Sequence, residues 1–355
     1  MMFARTCLFI SCICILFSIS GCTTIGYYFQ SVHGQLEIVS KRIPINTVLE
    51  NSDIRGEFLE KLEKVNQIRD FATSELHLPD NESYRYYVDL NRDYVVWNVF
   101  AAPELSLEGK TWCYLIVGCL SYRGYFSRAD AEDFAAGLSQ QGYDVFTGGV
   151  TAYSTLGWFA DPVLNTMIRR DENYLLKVIF HELAHQRIYF RNDTRFNEAF
   201  AETVAIEGAR RWHAQYGTET SLAEFNESQL QEEQFTGLIL DYRTRLEAMY
   251  NSSLDQIQKR RRKKELLDAL ADEYRVLRSG WKTNSQFDNW FSTGINNAKL
   301  LAVSTYRLLV PAFRSLLESS GRDLSRFYTM IEALRKCTPE QRETLLMSGA
   351  DKFSC

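Results

Sequence analysis

The sequence predicts an α+β protein that is predominantly helical. Apolar residues recur at three- and four-residue steps through most of the chain beyond residue 173, whereas the segments richest in Val, Tyr, Trp and Phe fall between residues 84 and 150. Turn-formers separate the two kinds of segment. The chain divides on this reading into a leading segment at 1–21, a mixed part at 22–165 and a helical part at 166–355.

Taken in order, residues 34–49 and 54–76 read as amphipathic helix, the second through Phe58, Leu62, Val65, Ile68 and Phe71, ending at Pro79-Asp80-Asn81. Residues 84–100 and 112–120 read as strands of a small sheet, 129–141 as a helix and 144–150 as a third strand. Helical periods then cover 173–190, 196–213, 228–250, 254–278, 297–318 and a last stretch near 323–335. Residues 228–278 form a charged helical hairpin turned at Asn251-Ser252-Ser253, with Phe235, Leu238, Tyr242, Leu246 and Met249 as its inner stripe. The basic run from Lys259 to Lys264 is read as a solvated helix face, with contact to anionic lipid as the alternative.

Composition narrows the function. Forty Lys+Arg against 45 Asp+Glu leave a net charge of −5, the wrong sign for a protein that neutralises phosphate backbones, so nucleic acid is excluded as a partner. With 45% hydrophobic residues there is material for a large core, and no stretch beyond residue 20 approaches the roughly 18 uninterrupted apolar residues of a membrane span.

The leading segment reads differently. Arg5 precedes an apolar run from Cys7 to Phe17, and Ile19-Ser20-Gly21-Cys22 follows, a pattern that reads as an export signal at 1–21. Its end resembles a bacterial lipoprotein box, which implies acylation of Cys22 and a lipid anchor in a membrane. Thr23 rather than Asp after the cysteine implies, by the same resemblance, the periplasmic face of the outer membrane. Four cysteines then remain for an oxidising compartment. Of their three possible pairings, Cys113–Cys119 with Cys337–Cys355 is the sequence-local one, and four free thiols are the alternative.

The chemistry sits in His181-Glu182-Leu183-Ala184-His185, inside the periodic stretch Tyr174 to Tyr189. Five His and 27 Glu in 355 residues predict about 0.005 chance matches to H-E-x-x-H. Two His four apart on a helix lie on one face a turn apart, so both imidazoles reach one Zn²⁺ while the intervening Glu182 points beside it as a general base. A catalytic ion needs a third protein ligand and an open position. A metzincin would have Gly at 188 and His at 191, where this chain has Ile188 and Arg191. Asp193-Thr194 instead caps a second helix carrying two carboxylates, Glu198 and Glu202. His213, further along that helix, is expected at the surface.

Asn197-Glu198-Ala199-Phe200-Ala201-Glu202 resembles the third-ligand helix of gluzincin metallopeptidases, which implies Glu198 as the metal ligand and Glu202 as the partner that fixes the His181 tautomer. Together with Tyr122-Arg123-Gly124-Tyr125-Phe126 and the segment Ala152 to Phe159, it resembles the putative aminopeptidase family of Gram-negative lipoproteins, from about Tyr27 to Leu334. That resemblance implies a zincin-like core, one Zn²⁺ per chain and a peptide substrate. Two departures are visible. Only twelve residues separate His185 from Glu198, and no G-x-M-E-N box is present. In zinc peptidases the substrate adds to an edge strand beside the metal helix, a place that residues 153–159 fit, with Tyr153 and Trp158 on the wall and Gly157 allowing close backbone approach. Tyr306 is the expected oxyanion donor, and Tyr189 its rival. The competing reading is a non-catalytic envelope lipoprotein with a structural zinc or a partner-binding hairpin.

Overall fold

The computed structural model describes residues 26–51, 56–114, 118–282 and 287–349. The described residues are 63% helix and 10% strand. It opens with α1 (26–40), β1 (Ile43–Pro44), α2 (Ile45–Leu49) and α3 (Glu57–Ser74). Then come β2 (Tyr86–Val88), β3 (Val96–Pro103), β4 (Trp112–Tyr114), β5 (Gly118–Leu120), β6 (Arg123–Tyr125), α4 (Arg128–Gln140), β7 (Tyr143–Val150), β8 (Val163–Leu164) and α5 (Asn165–Ile168). The helical remainder is α6 (Glu172–Arg187), α7 (Thr194–Tyr216), α8 (Glu219–Tyr250), α9 (Gln256–Ser279), α10 (Asp288–Ser292), α11 (Asn297–Arg307), α12 (Val310–Ser319), α13 (Leu324–Ala333) and α14 (Pro339–Met347).

Three small sheets replace the single one expected. β3 is the centre of an antiparallel sheet between β6 and β7, β2 lies between antiparallel β1 and parallel β8, and β4 pairs with β5 as a separate ribbon. Cys113 and Cys119 face each other across that ribbon and are joined by a disulfide. Cys337 is buried, and Cys355, its expected partner, lies outside the described residues. So do the signal segment and Cys22.

Proline and turn chemistry explain the elements that depart from their sequence patterns. The helix expected at 34–49 is interrupted because Pro44 cannot continue it, and Pro44 serves as N-cap of α2 instead. The strand expected at 84–100 divides at Asn91, whose φ of 51° breaks the extended run, so β2 and β3 join different sheets. The helix expected at 297–318 breaks before Pro311, which takes the first turn of α12. By length and composition alone 297–319 passes as a membrane span, but half of it is buried inside the protein. α14 was not anticipated, although its signature is legible: Thr338 caps it in a reciprocal capping box with Gln341.

The largest core crosses residue 165, running from Ile38 through Leu62, Ile68 and Phe71 to Phe180, Phe200, Trp212, Phe313 and Leu346. α6 and α7 pack side by side at its centre. The hairpin α8–α9 encloses its own cluster, in which Phe235, Ile239, Tyr242, Leu246 and Met249 are buried. Its basic run is consumed by ion pairs: Arg260 meets Glu104 at 2.9 Å, Lys263 meets Asp144 at 2.6 Å and Lys264 meets Asp268 at 2.6 Å. Lys263 is thus buried rather than solvated, while Lys264 stays exposed.

Candidate metal centre

α6 starts where the Asp171 carboxylate accepts the Tyr174 N–H at 2.8 Å. Leu175, Leu176, Ile179, Phe180, Leu183 and Ala184 bury its core face, which turns His181, Glu182 and His185 toward a cleft of about 410 Å³. Six residues later α7 returns alongside. Asn197 fixes this return, because its side-chain oxygen accepts the Phe190 N–H at 2.8 Å and its amide donates to the Phe190 carbonyl at 2.7 Å. Asp193 stands at the N-cap of α7, yet its carboxylate is held by Arg342 at 2.8 Å.

This return carries Glu198 to the two histidines. Its Oε2 is 3.1 Å from His181 Nε2 and 3.6 Å from His185 Nε2, while the two Nε2 atoms are 3.1 Å apart. Donors about 2.0–2.1 Å from a tetrahedral ion stand about 3.3 Å from one another, so the set fits a metal ion held by two nitrogens and one oxygen. These three residues are the described ones whose donor atoms converge in this way. Burial would push His181 down, but the bond to Glu198 and the nearby carboxylates of Glu202 and Glu182 override it and hold the imidazole up at about 10. Burial likewise works against Glu198, and the nearby His185 with the bond from His181 brings it down to about 2.

Glu202, one turn along α7, faces the other side of the same imidazole, with Oε2 3.6 Å from His181 Nδ1. That is longer than a hydrogen bond, so Glu202 acts on His181 through charge. Its remaining oxygen is clamped by Lys177 Nζ at 2.8 Å and by Arg307 Nη1 at 2.7 Å. Both cations also meet Glu232 of α8, Lys177 at 3.0 Å. Two cations and two carboxylates thus form a closed, nearly buried ring behind the histidine. Burial raises Glu202, but Arg307 and Lys177 hold it well below the usual carboxylate range.

Glu182 lines the cleft and, among the described residues, joins none of these ion pairs. Burial pushes its carboxyl up against the pull of His181 and His185, with Glu198 and Asp161 adding to the rise. Tyr306, from α11, lines the same cleft beside Tyr122. Burial first, then the charge of Glu198, lifts the Tyr306 phenol well above its ordinary value. Tyr189 also lines the cleft, with its ring 6.3 Å from that of His185.

The expected substrate wall needs correction. Residues 153–159 form a loop rather than an edge strand, because buried Asp161 accepts from the Thr155 N–H at 3.0 Å, the Thr155 hydroxyl at 2.6 Å and the Ser154 hydroxyl at 3.1 Å and curls the chain around itself. Tyr153 does line the cleft, but Gly157 and Trp158 do not. Gly157 takes φ of 80° in the turn, and Trp158 is 70% exposed. His213, expected at the surface, is buried: α8 folds back over α7, setting Phe225 5.3 Å from the imidazole, and Nε2 lies 2.6 Å from Asn173 Oδ1.

Sequence reasoning missed Lys177, Arg307, Glu232, Tyr122 and Asp161. Lys177 had a local signal, standing one turn before His181 on the same helix. Asp161 lies six residues beyond Thr155, and the others arrive from distant parts of the chain. No curated protein and no solved structure matches the sequence. Residues 26–346 do match a protein family described as "Putative aminopeptidase", a description that implies a peptide substrate, and the chain belongs to that family.

Proposed function

We propose that the protein is a zinc-dependent peptidase of the cell envelope, with His181, His185 and Glu198 holding the ion and an aminopeptidase action on peptides. The convergence of three donors 3.1–3.6 Å apart on an open cleft supports this most strongly. A purely structural zinc is normally closed by four protein ligands, and the described residues bring three together. When bound, zinc supplies Lewis acidity toward the substrate carbonyl and acidifies water toward a pKa of ~7. Glu182 takes the proton from the attacking water at its carboxylate and delivers it to the leaving nitrogen. Tyr306, with Tyr122 beside it, donates to the oxygen on which charge develops.

The cleft wall suits uncharged side chains. Apart from His181, Glu182, His185 and Glu198, the lining consists of tyrosines, small polar groups and apolar residues such as Val96, Phe126 and Val150. Glu182 and Glu198 are the only lining carboxylates, so a substrate α-ammonium has no separate acidic partner among the described residues. Anchoring through acylated Cys22 at the periplasmic face of the outer membrane completes the reading. The test is metal analysis with a peptide library. Stoichiometric zinc, cleavage that chelation abolishes, and a Glu182→Gln variant that keeps zinc but cuts nothing are expected. Full cleavage by that variant would overturn the mechanism, and the position of the cuts separates exo- from endopeptidase action.

A further inference from the structure

Helix α1 presents two unlike faces. On the inner one Ile38 is buried, Gly34 lies so close to the Phe126 ring that a Cβ would come within 2.2 Å of it, and Gln30 Oε1 accepts the Phe126 N–H at 2.9 Å. Tyr27 and Ser31 reach the metal cleft from this side. On the outer face Phe29, Val32 and Leu36, three and four residues apart, are 77%, 58% and 60% exposed. Five of the fourteen exposed large hydrophobic side chains among the described residues lie between Tyr28 and Ile43. Two more, Trp158 and Phe159, sit on the loop that Arg42 ties to the end of α1 by donating to the Ala160 carbonyl at 2.9 Å. Six of the fourteen therefore belong to two neighbouring elements that both line the cleft, α1 through Tyr27 and the loop through Ser154 and Leu156.

We propose that this rim docks on a lipid bilayer, with α1 lying in the interface and Phe29, Val32 and Leu36 turned toward the acyl chains. The inference rests on the acylation of Cys22 in the reading above. Four residue steps join Cys22 to Gly26, and an extended chain covers at most ~3.6 Å per residue, so the start of α1 is held within about 14 Å of the lipidated cysteine. That tether is shorter than the helix, whose fifteen residues span about 22 Å. An apolar helix face kept so near a bilayer partitions into its interface, and a neighbouring exposed tryptophan is the side chain most at home there. The cleft then opens beside the membrane surface, where peptides attached to that membrane reach it first.

The experiment uses the full mature chain purified with its lipid, whose mass is measured, in vesicles of phosphatidylethanolamine and phosphatidylglycerol. Nitroxides are coupled to Val32→Cys, to Leu36→Cys and, as a solvent-facing control on α9, to Lys264→Cys, whose native side chain is 78% exposed. Labels at 32 and 36 that are open to oxygen and shielded from a water-soluble nickel chelate, with the reverse at 264, are the expected result. Acylated protein whose labels at 32 and 36 behave like the control overturns the docking, as does spin–spin broadening there, which would give the face to a second copy. Protein without lipid overturns anchoring and docking together. Zinc content and peptide cleavage, read on the same vesicles, report separately on the hydrolase.

Discussion

Replacing Glu202 by Gln removes one charge from the ring behind His181 and almost no volume. Lys177 and Arg307 lose the carboxylate they approach at 2.8 and 2.7 Å but keep Glu232, so each cation retains a partner. Removing one member of a buried ion pair costs about 3–5 kcal/mol, and the surviving carboxylate puts this loss near the lower end. A domain stable by about 5–15 kcal/mol stays folded. The metal site should suffer more visibly. Groups that orient a ligating histidine are worth about 10- to 100-fold in metal affinity, or roughly 1.4–2.8 kcal/mol. Because Glu202 stands 3.6 Å from Nδ1 and acts through charge, Glu202→Leu should lose no more zinc affinity than Glu202→Gln. Competition against a chelator of known affinity measures that affinity, and thermal melts of the zinc-free protein measure the fold. A folded Glu202→Gln protein with wild-type zinc affinity would refute the reasoning.

Two further outcomes follow from the same geometry. Tyr306→Phe should lower kcat by about 10²–10³ with zinc content and KM nearly unchanged, and adding Tyr122→Phe should cost less than the product of the single effects, since the two phenols act at one place; independent, multiplying effects would separate them. His181 is held up at about 10 in the metal-free protein, so it carries a proton at pH 7 that zinc must displace, whereas Glu198, at about 2, has none to give. Zinc affinity should therefore rise with pH through the neutral range, and calorimetry in buffers of different ionisation enthalpy should register about one proton released from this imidazole; no release would contradict the assignment.

What the sequence disclosed was local. H-E-x-x-H is a spacing within one helix, and α6 delivers both imidazoles because a four-residue step on a helix has a fixed geometry. Glu198 was singled out by resemblance, Asn197-Glu198-Ala199-Phe200-Ala201-Glu202 being similar to a third-ligand helix, because spacing alone left Glu202 open. The hairpin stripe and the cross-ribbon disulfide at Cys113 and Cys119 are also contacts between near neighbours in sequence. The errors came from contacts that compete with a local pattern, one of them near in sequence and one of them far. Aromatic and small residues at 153–159 have the composition of an edge strand, but Asp161 offers the backbone a competing set of acceptors and the chain follows it. His213 looked exposed on its own helix until α8 covered it.

Glu198 and Glu202 show how far such a reading reaches. They are the same residue on one helix, a single turn apart, and either could have been the third ligand by spacing. What divides them is neighbours. Glu202 meets two cations, one from α6 and one from α11, whose Arg307 lies 105 residues further on. A carboxylate already engaged by Lys177 and Arg307 gains little by giving up those contacts for a metal. Glu198 is met by the two imidazole nitrogens, and no Lys or Arg among the described residues pairs with it. The ring that holds Glu202 back therefore also selects Glu198, and Arg307 brings that selection from the helix that carries Tyr306. Ligand choice, the charge behind His181 and the position of the phenol are consequences of packing α11 against α7, which no local pattern in the α6–α7 segment encodes.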